Sequence, residues 1–144
     1  MESRISVQVK LLHPDAKAPS YGRSGDAGLD VYSVEDVVLF PGEKQIVKTG
    51  IAMAIPEGCV ALVWDRSGVA AKGGIKTMGG VIDHTYRGEY GIIMTNLTKT
   101  AYQVNKGDRI AQVLIQPIYT ADITVVDELS DSVRGSGGFG SSGR

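Results

Sequence analysis

The apolar residues of this chain come in short runs, and each run is cut off by a turn signal. Ile5, Val7, Val9 and Leu11 alternate with Ser6, Gln8 and Lys10, which predicts a half-buried strand. Val37-Val38-Leu39 runs into Pro41-Gly42, and Ile51 to Ile55 into Pro56-Glu57-Gly58. Further strands are predicted over Val60 to Trp64, Tyr90 to Thr95, Arg109 to Ile118 and Ile123 to Val126. Arg87-Gly88-Glu89 and Lys106-Gly107-Asp108 supply tight turns between them. Strands at this spacing, with glycine at the joints, indicate an all-β chain: a sandwich, jelly roll or barrel. Only Ser67-Gly68-Val69-Ala70-Ala71-Lys72 reads as helical, with Ser67 as N-cap and Gly73 as the residue that ends it.

Glycine is in excess, 19 of 144 residues, or about 13%, against an average near 7%. It shows no period of three, which excludes collagen. Five of the glycines lie in Arg134 to Arg144, a stretch without hydrophobic period. The chain therefore reads as one domain over residues 1–133 followed by a flexible glycine-rich arm over residues 134–144.

Charge excludes several function classes. With 15 basic and 16 acidic residues the net charge is −1, whereas a nucleic-acid-binding chain shows a basic excess or stripe. No apolar run approaches the roughly 20 residues of a membrane helix, and Met1-Glu2-Ser3-Arg4 lacks a signal-peptide core. The single cysteine, Cys59, excludes an internal disulfide and a cysteine-cluster metal site. Its apolar neighbours suggest a buried, inert thiol. A soluble, cytoplasmic protein is expected.

Five constellations carry candidate chemistry. In Gly25-Asp26-Ala27-Gly28-Leu29-Asp30, glycines bracket two carboxylates suited to a hard cation; the same residues also suit a turn with both aspartates capping amides. In Asp65-Arg66-Ser67-Gly68, Arg66 offers a bidentate phosphate ligand beside the free amides of a helix start; the alternative is a surface ion pair next to an ordinary cap. Gly79-Gly80-Val81-Ile82-Asp83-His84-Thr85-Tyr86-Arg87-Gly88-Glu89 reads as a β-hairpin in which Val81 and Ile82 bury and Asp83 stands at the edge of that apolar floor. A carboxylate so placed suits a general base, and Tyr86 a ring contact; a structural hairpin with a capping aspartate is the other reading. His84 reads as exposed, and with His13 distant a histidine metal site is not expected. In Gly107-Asp108-Arg109-Ile110-Ala111-Gln112, Asp108 and Arg109 read as turn residues, while Gln112 shares the Ile110 face, an odd place for an unpartnered amide. Last, Arg134-Gly135-Ser136-Gly137-Gly138-Phe139-Gly140-Ser141-Ser142-Gly143 could wrap phosphates with its amides. It lacks the Gly-Lys-Ser/Thr ending of a Walker A loop, and a mobile tail is the bland alternative. Together these are the parts needed to hydrolyse a nucleoside polyphosphate, and much of the glycine reads as phosphate- and base-facing backbone.

The five constellations, in order and spacing, resemble the five motifs of the trimeric deoxyuridine triphosphate nucleotidohydrolases, from about Val7 to Gly143. The most specific are Gly80-Val81-Ile82-Asp83-x-x-Tyr86-Arg87-Gly88 and Arg134-Gly135-x-Gly137-Gly138-Phe139-Gly140-Ser141. The resemblance implies a jelly-roll-like β fold with one short helix, a homotrimer with active sites shared by all three chains, and magnesium-assisted hydrolysis of dUTP to dUMP and pyrophosphate. By motif, Asp83 is the implied general base. Tyr86 stacks on the deoxyribose, and the backbone near Gly80, Val81, Ile82, Tyr90 and Gly91 reads the uracil edge. Asp30 holds magnesium through its waters. Arg66, Ser67, Gly68 and Gln112 meet phosphate oxygens. Arg134 reaches the γ-phosphate, and Phe139, with Gly138, Gly140 and Ser141, covers the bound nucleotide. Asp65 departs from the family, which usually has proline or a small residue there; an added carboxylate would pair with Arg66 or weaken phosphate binding. The rival readings are a dCTP deaminase-like enzyme and a non-catalytic nucleotide-binding protein of the same fold.

Overall fold

The computed structural model describes residues 3–143. Its strands are β1 (Gln8–Leu11), β2 (Ser20–Tyr21), β3 (Leu29–Tyr32), β4 (Val37–Leu39), β5 (Lys44–Lys48), β6 (Ile51–Ala54), β7 (Cys59–Trp64), β8 (Ile75–Met78), β9 (Val81–Asp83), β10 (Gly91–Asn96), β11 (Tyr102–Val104) and β12 (Arg109–Pro117). One helix, α1 (Ser67–Gly73), lies between β7 and β8. The largest sheet has the order β2-β3-β12-β7-β9, and a second has the order β5-β10-β8. Two strand pairs, β1-β6 and β11-β4, complete the set. All pairings are antiparallel. Among the described residues the strands thus form four separate sheets and no closed barrel.

All four sheets face one core. Val31, Leu39, Val47, Met53, Ala61, Ile92, Met94, Val104 and Val113 are all but inaccessible to solvent. Alternation along β10 buries Ile92, Met94 and Asn96 together. The buried Asn96 amide donates to the carbonyls of Leu39 and Thr100, each at 2.8 Å, and so ties the three-stranded sheet to β4. A fully buried amide is tolerated there because it is fully bonded.

Several sequence expectations are corrected. The N-terminal strand is confined to Gln8–Leu11 and is exposed along its length, because its one partner is β6 and nothing covers its outer face. Val7 alone of the alternating set packs against the core. The stretch Ile123 to Val126 forms no strand; the last backbone tie to the sheet is Ile118 N–H to the Gly58 carbonyl at 2.9 Å, and Ile123 and Val125 stand in solvent. Arg66, not Ser67, occupies the helix N-cap, without a side-chain capping bond. The first helical hydrogen bond begins at the Arg66 carbonyl, which accepts from Ala70 N–H at 3.0 Å. The left-handed stop falls on Gly74 (φ 64°), one residue past Gly73. Cys59 and His84 are both half-buried.

The segment Gly79 to Glu89 is not a simple hairpin. β8 pairs with β10, but after Gly79 and Gly80 the chain crosses to the other sheet, where β9 pairs with β7. Gly80 makes the crossing possible. Its φ is +98°, and a Cβ there would lie 2.9 Å from Val63 Cβ and 3.0 Å from the Val63 carbonyl oxygen. Gly80→Ala is expected to cost about 1–3 kcal/mol in chemical denaturation, since strain and a backbone clash coincide. Unchanged stability would mean the chain makes this crossing by another route.

Candidate active site

The site begins with an irregularity in β12. Arg109 lies opposite Tyr32 and Ala111 opposite Val31, so Ile110 is an extra residue in the ladder. This β-bulge lets Ile110 and Ala111 both bury, and it shifts the alternation beyond them by one. Gln112 therefore does not share the Ile110 face, as simple alternation would have it. Paired with Asp30 of β3, it joins Arg109 on the opposite face, although the two are three residues apart.

Asp30 stands between them. Arg66 Nε donates to its Oδ1 at 3.1 Å, and Arg109 Nε lies 3.6 Å from its Oδ2. These groups line an open cavity of about 390 Å³, whose walls include Ser67 and Gly68 on one side and Gly22, Arg23 and Asp26 on the other. Close backbone approach shapes it. A Cβ on Gly28 would lie 2.3 Å from Gln112 Oε1, and a Cβ on Gly22 would lie 3.2 and 3.4 Å from the Oδ2 atoms of Asp26 and Asp30. Two carboxylates thus converge beside Gly22, with the Arg66 and Arg109 guanidiniums at Asp30 and Arg23 N–H donating to Asp26 Oδ2 at 2.9 Å.

The added carboxylate, Asp65, does not pair with Arg66. Its Oδ2 accepts from Lys76 Nζ at 2.7 Å and its Oδ1 from Thr77 N–H at 2.7 Å. Burial pushes the Asp65 carboxyl up, but the Lys76 and Thr77 hydrogen bonds more than offset this and hold it below its ordinary value.

The third constellation lies elsewhere. Asp83 ends β9 opposite Val60 and is exposed. Val81 is 71% exposed, so the apolar floor expected beneath Asp83 is supplied by Ile82 alone, which packs against the core. Val81 stands out because side chains alternate along β9: Ile82 turns toward the core, and Val81 and Asp83 share the outer face. Tyr86 donates its hydroxyl to the Glu89 carbonyl at 3.0 Å, and its ring lies 6.2 Å from that of the buried Tyr90. None of Gly80, Val81, Ile82, Asp83, Tyr86, Tyr90 and Gly91 lines the cavity.

Nor do Arg134, Gly138, Phe139, Gly140 or Ser141. The segment folds on itself in turns, with Gly137 N–H donating to the Arg134 carbonyl at 3.3 Å and Ser141 N–H to the Gly138 carbonyl at 3.2 Å. Phe139 is fully exposed. One chain thus unites Asp30, Arg66, Ser67, Gly68 and Gln112, and leaves the third and fifth constellations apart. Sequence reasoning missed Gly22, Arg23 and the role of Arg109, which the bulge alone reveals. Within one chain the glycines divide between the cavity and the scaffold. Among the described glycines, Gly22, Gly28 and Gly68 line the cavity, whereas Gly42, Gly50, Gly58 and Gly107 adopt positive φ in turns of the scaffold.

Among the described residues no group of three His, Cys, Asp or Glu side chains converges on a metal position. The donor set still suits magnesium, which keeps most of its waters and needs only one or two carboxylates besides phosphate oxygens. Asp30 and Asp26 supply them.

An all-β chain with this cavity belongs to the class that handles polyanions, with arginines and a glutamine amide for oxygens and paired carboxylates for a hard cation. The dUTPase family model matches residues 14–143. The chain is 45% identical to the deoxyuridine 5'-triphosphate nucleotidohydrolase of Clostridium tetani, over 99% of each chain. It is 47% identical to the mitochondrial human protein of the same name, covering 92% of this chain and 53% of that one. Its structure is similar to that of the Staphylococcus bacteriophage 80alpha dUTPase with dUpNHpp, with a TM-score of 0.92, 38% identity, and 96% and 99% of the two chains covered. A phage phi11 dUTPase mutant, described with a structural Mg(II) ion, gives a TM-score of 0.83 at 35% identity, covering 88% of this chain and 100% of that one. This chain belongs to the dUTPase family.

Proposed function

We propose that this protein hydrolyses dUTP to dUMP and pyrophosphate, keeping uracil out of DNA and supplying dUMP for thymidylate synthesis. The observation that carries the reading is the cavity in which the bulge of β12 sets Gln112 and Arg109 beside Asp30 and Arg66, in a chain matched by the dUTPase model over nearly its whole length.

The finer reading is a jelly-roll-like homotrimer in the cytoplasm, with a body over residues 1–133 and an arm over residues 134–144. The separation of the constellations supports it. Asp83 and Phe139 lie outside the cavity of their own chain, and neighbouring copies would bring both to it. The exposed apolar residues of the terminal segments, such as Ile5, Ile123 and Val125, agree with burial against another chain.

In this reading the chain does its work by positioning and charge neutralisation, as phosphoryl transfer requires. Arg66, with Ser67 and Gly68 at the start of α1, and the Gln112 amide hold phosphate oxygens. Asp30, with Asp26 beside it, would hold magnesium through bound water, and the ion would neutralise charge on the phosphates. For this, Arg66 and Arg109 must turn from Asp30 toward the phosphates. Asp83 accepts the proton of the water that attacks the α-phosphorus in line. The Tyr86 ring packs on the deoxyribose and leaves no space for a 2′-hydroxyl. Backbone around Gly80, Val81, Ile82, Tyr90 and Gly91 reads the uracil edge and excludes a thymine methyl group. Arg134 takes the γ-phosphate, and Gly138, Phe139, Gly140 and Ser141 close over the nucleotide and keep water out.

The test is pyrophosphate release from dUTP, dCTP, dTTP and UTP in magnesium, with light scattering on the same sample. Turnover of dUTP alone and a mass of three chains are expected. Ammonia released from dCTP would instead make the protein a deaminase, and binding of dUTP without turnover a non-catalytic nucleotide binder.

A further inference from the structure

Asp65 has no part in the mechanism above, yet both of its carboxylate oxygens are hydrogen-bonded, at 2.7 Å each, beside the cavity. It lies in the two-residue gap between β7 and α1, so no sheet ladder or helix fixes its carbonyl. Its side chain reaches the free edge of β8. That strand pairs with β10 on one side only, and Thr77 N–H, on the unpaired side, donates to Asp65 Oδ1. Thr77 is itself buried, so the amide would otherwise lack a partner. Lys76 Nζ donates both to Asp65 Oδ2 and to the Thr77 carbonyl, at 2.7 and 2.8 Å, closing a ring of three residues. The Asp65 carboxylate thereby pins the end of β7, in one sheet, to the edge of β8, in another.

The pinned carbonyl has a use. Gln112 Nε2 donates to the Asp65 carbonyl at 2.8 Å. An amide nitrogen has two hydrogens, and an amide group can flip. With one hydrogen held by Asp65 and Oε1 turned toward the Gly28 backbone, the second hydrogen is available to the cavity.

We propose that Asp65 is a positioning residue: by latching β7 to the edge of β8 it fixes the carbonyl that orients the Gln112 amide as a donor toward a phosphate oxygen of the substrate. This rests on the dUTP-hydrolysing reading for its substrate, but the orientation of Gln112 is a property of the free protein. Without the latch the carbonyl is free to move, and the amide samples both flips.

A double-mutant cycle tests it. Asp65→Ala should raise KM for dUTP about five- to tenfold, the scale of one hydrogen bond lost, with kcat changed by less than about twofold. Gln112→Ala should do the same, and adding Asp65→Ala to Gln112→Ala should do nothing more, because linked residues are not additive. Asp65→Asn keeps an oxygen for Thr77 N–H and should stay within about twofold of the original KM, which guards against a variant that merely folds poorly. In the ligand-free protein, the Gln112 side-chain amide resonances should be single and sharp, and should broaden or double in Asp65→Ala. An equal rise in KM in the Gln112→Ala background would overturn the proposal, as would Gln112 resonances indifferent to Asp65→Ala. If dUTP were not turned over at all, the resonances would still decide the latch, while the functional reading alone would fall.

Discussion

Asp83→Asn is expected to lower kcat for dUTP by about 10²–10⁴, the usual contribution of a positioned base, while the dissociation constant for dUpNHpp stays within about twofold. The two effects separate because in the proposed reaction Asp83 acts on the attacking water, whereas the nucleotide is held by other groups, Arg66 and Gln112 among them. Asp83 ends an exposed edge strand, with its carbonyl committed to Tyr86 N–H at 3.1 Å. Loss of the charge should also leave stability nearly untouched, since no ion pair to Asp83 is present among the described residues. Single-turnover kinetics and calorimetry with dUpNHpp check both halves. Turnover within tenfold of the original would remove Asp83 from the role of base. Loss of binding would place it among the phosphate or sugar contacts instead.

Deleting residues 134–144 should leave a folded protein of unchanged oligomeric state, with kcat/KM for dUTP lowered by at least about 10², comparable to loss of one or more charge-stabilising donors. Among the described residues, the hydrogen bonds of residues 134–143 run within the segment and to Ser132 Oγ. Phe139 contributes nothing to the core. The folded body therefore loses little, within the ±0.5 kcal/mol or so of an ordinary surface change. What would be lost is the Arg134 guanidinium, the row of amides and the Phe139 ring, the groups proposed to close over the nucleotide. Circular dichroism, light scattering and pyrophosphate release on one sample report all three. Undiminished activity would reduce the segment to a linker.

How far the residues could be read depended on the range of the interaction that decided them. Local turn chemistry was legible: Pro41-Gly42, Pro56-Glu57-Gly58 and Lys106-Gly107-Asp108 all fall between strands as expected. So was the position of the one helix, although its cap slipped by a residue because Arg66, and not a short polar side chain, supplies the first carbonyl. Strand partners were not legible. Val81 to Asp83 looked like half of a hairpin with its nearest neighbour in sequence, yet it pairs with β7 in another sheet. Ile123 to Val126 carries the composition of a strand, but within one chain no edge is offered to it. Asp65 showed only as a misfit, because its partners Lys76 and Thr77 are eleven and twelve residues away and on a different sheet.

By itself the sequence determined the all-β class, since short alternating runs broken by glycine and proline allow little else. It also marked Asp30, Arg66, Asp83, Gln112 and Arg134 as the candidate site residues, since they sit in ordered, specific motifs. The tertiary structure decided which of them meet. One extra residue in β12 turns Gln112 and Arg109 to the same face as Asp30. That effect is invisible to periodicity, because a bulge is set by the register between two strands and not by the composition of either. The separation of Asp83 and Phe139 from that cavity is likewise a property of the packed chain, set by which sheet edges are covered and which stay open.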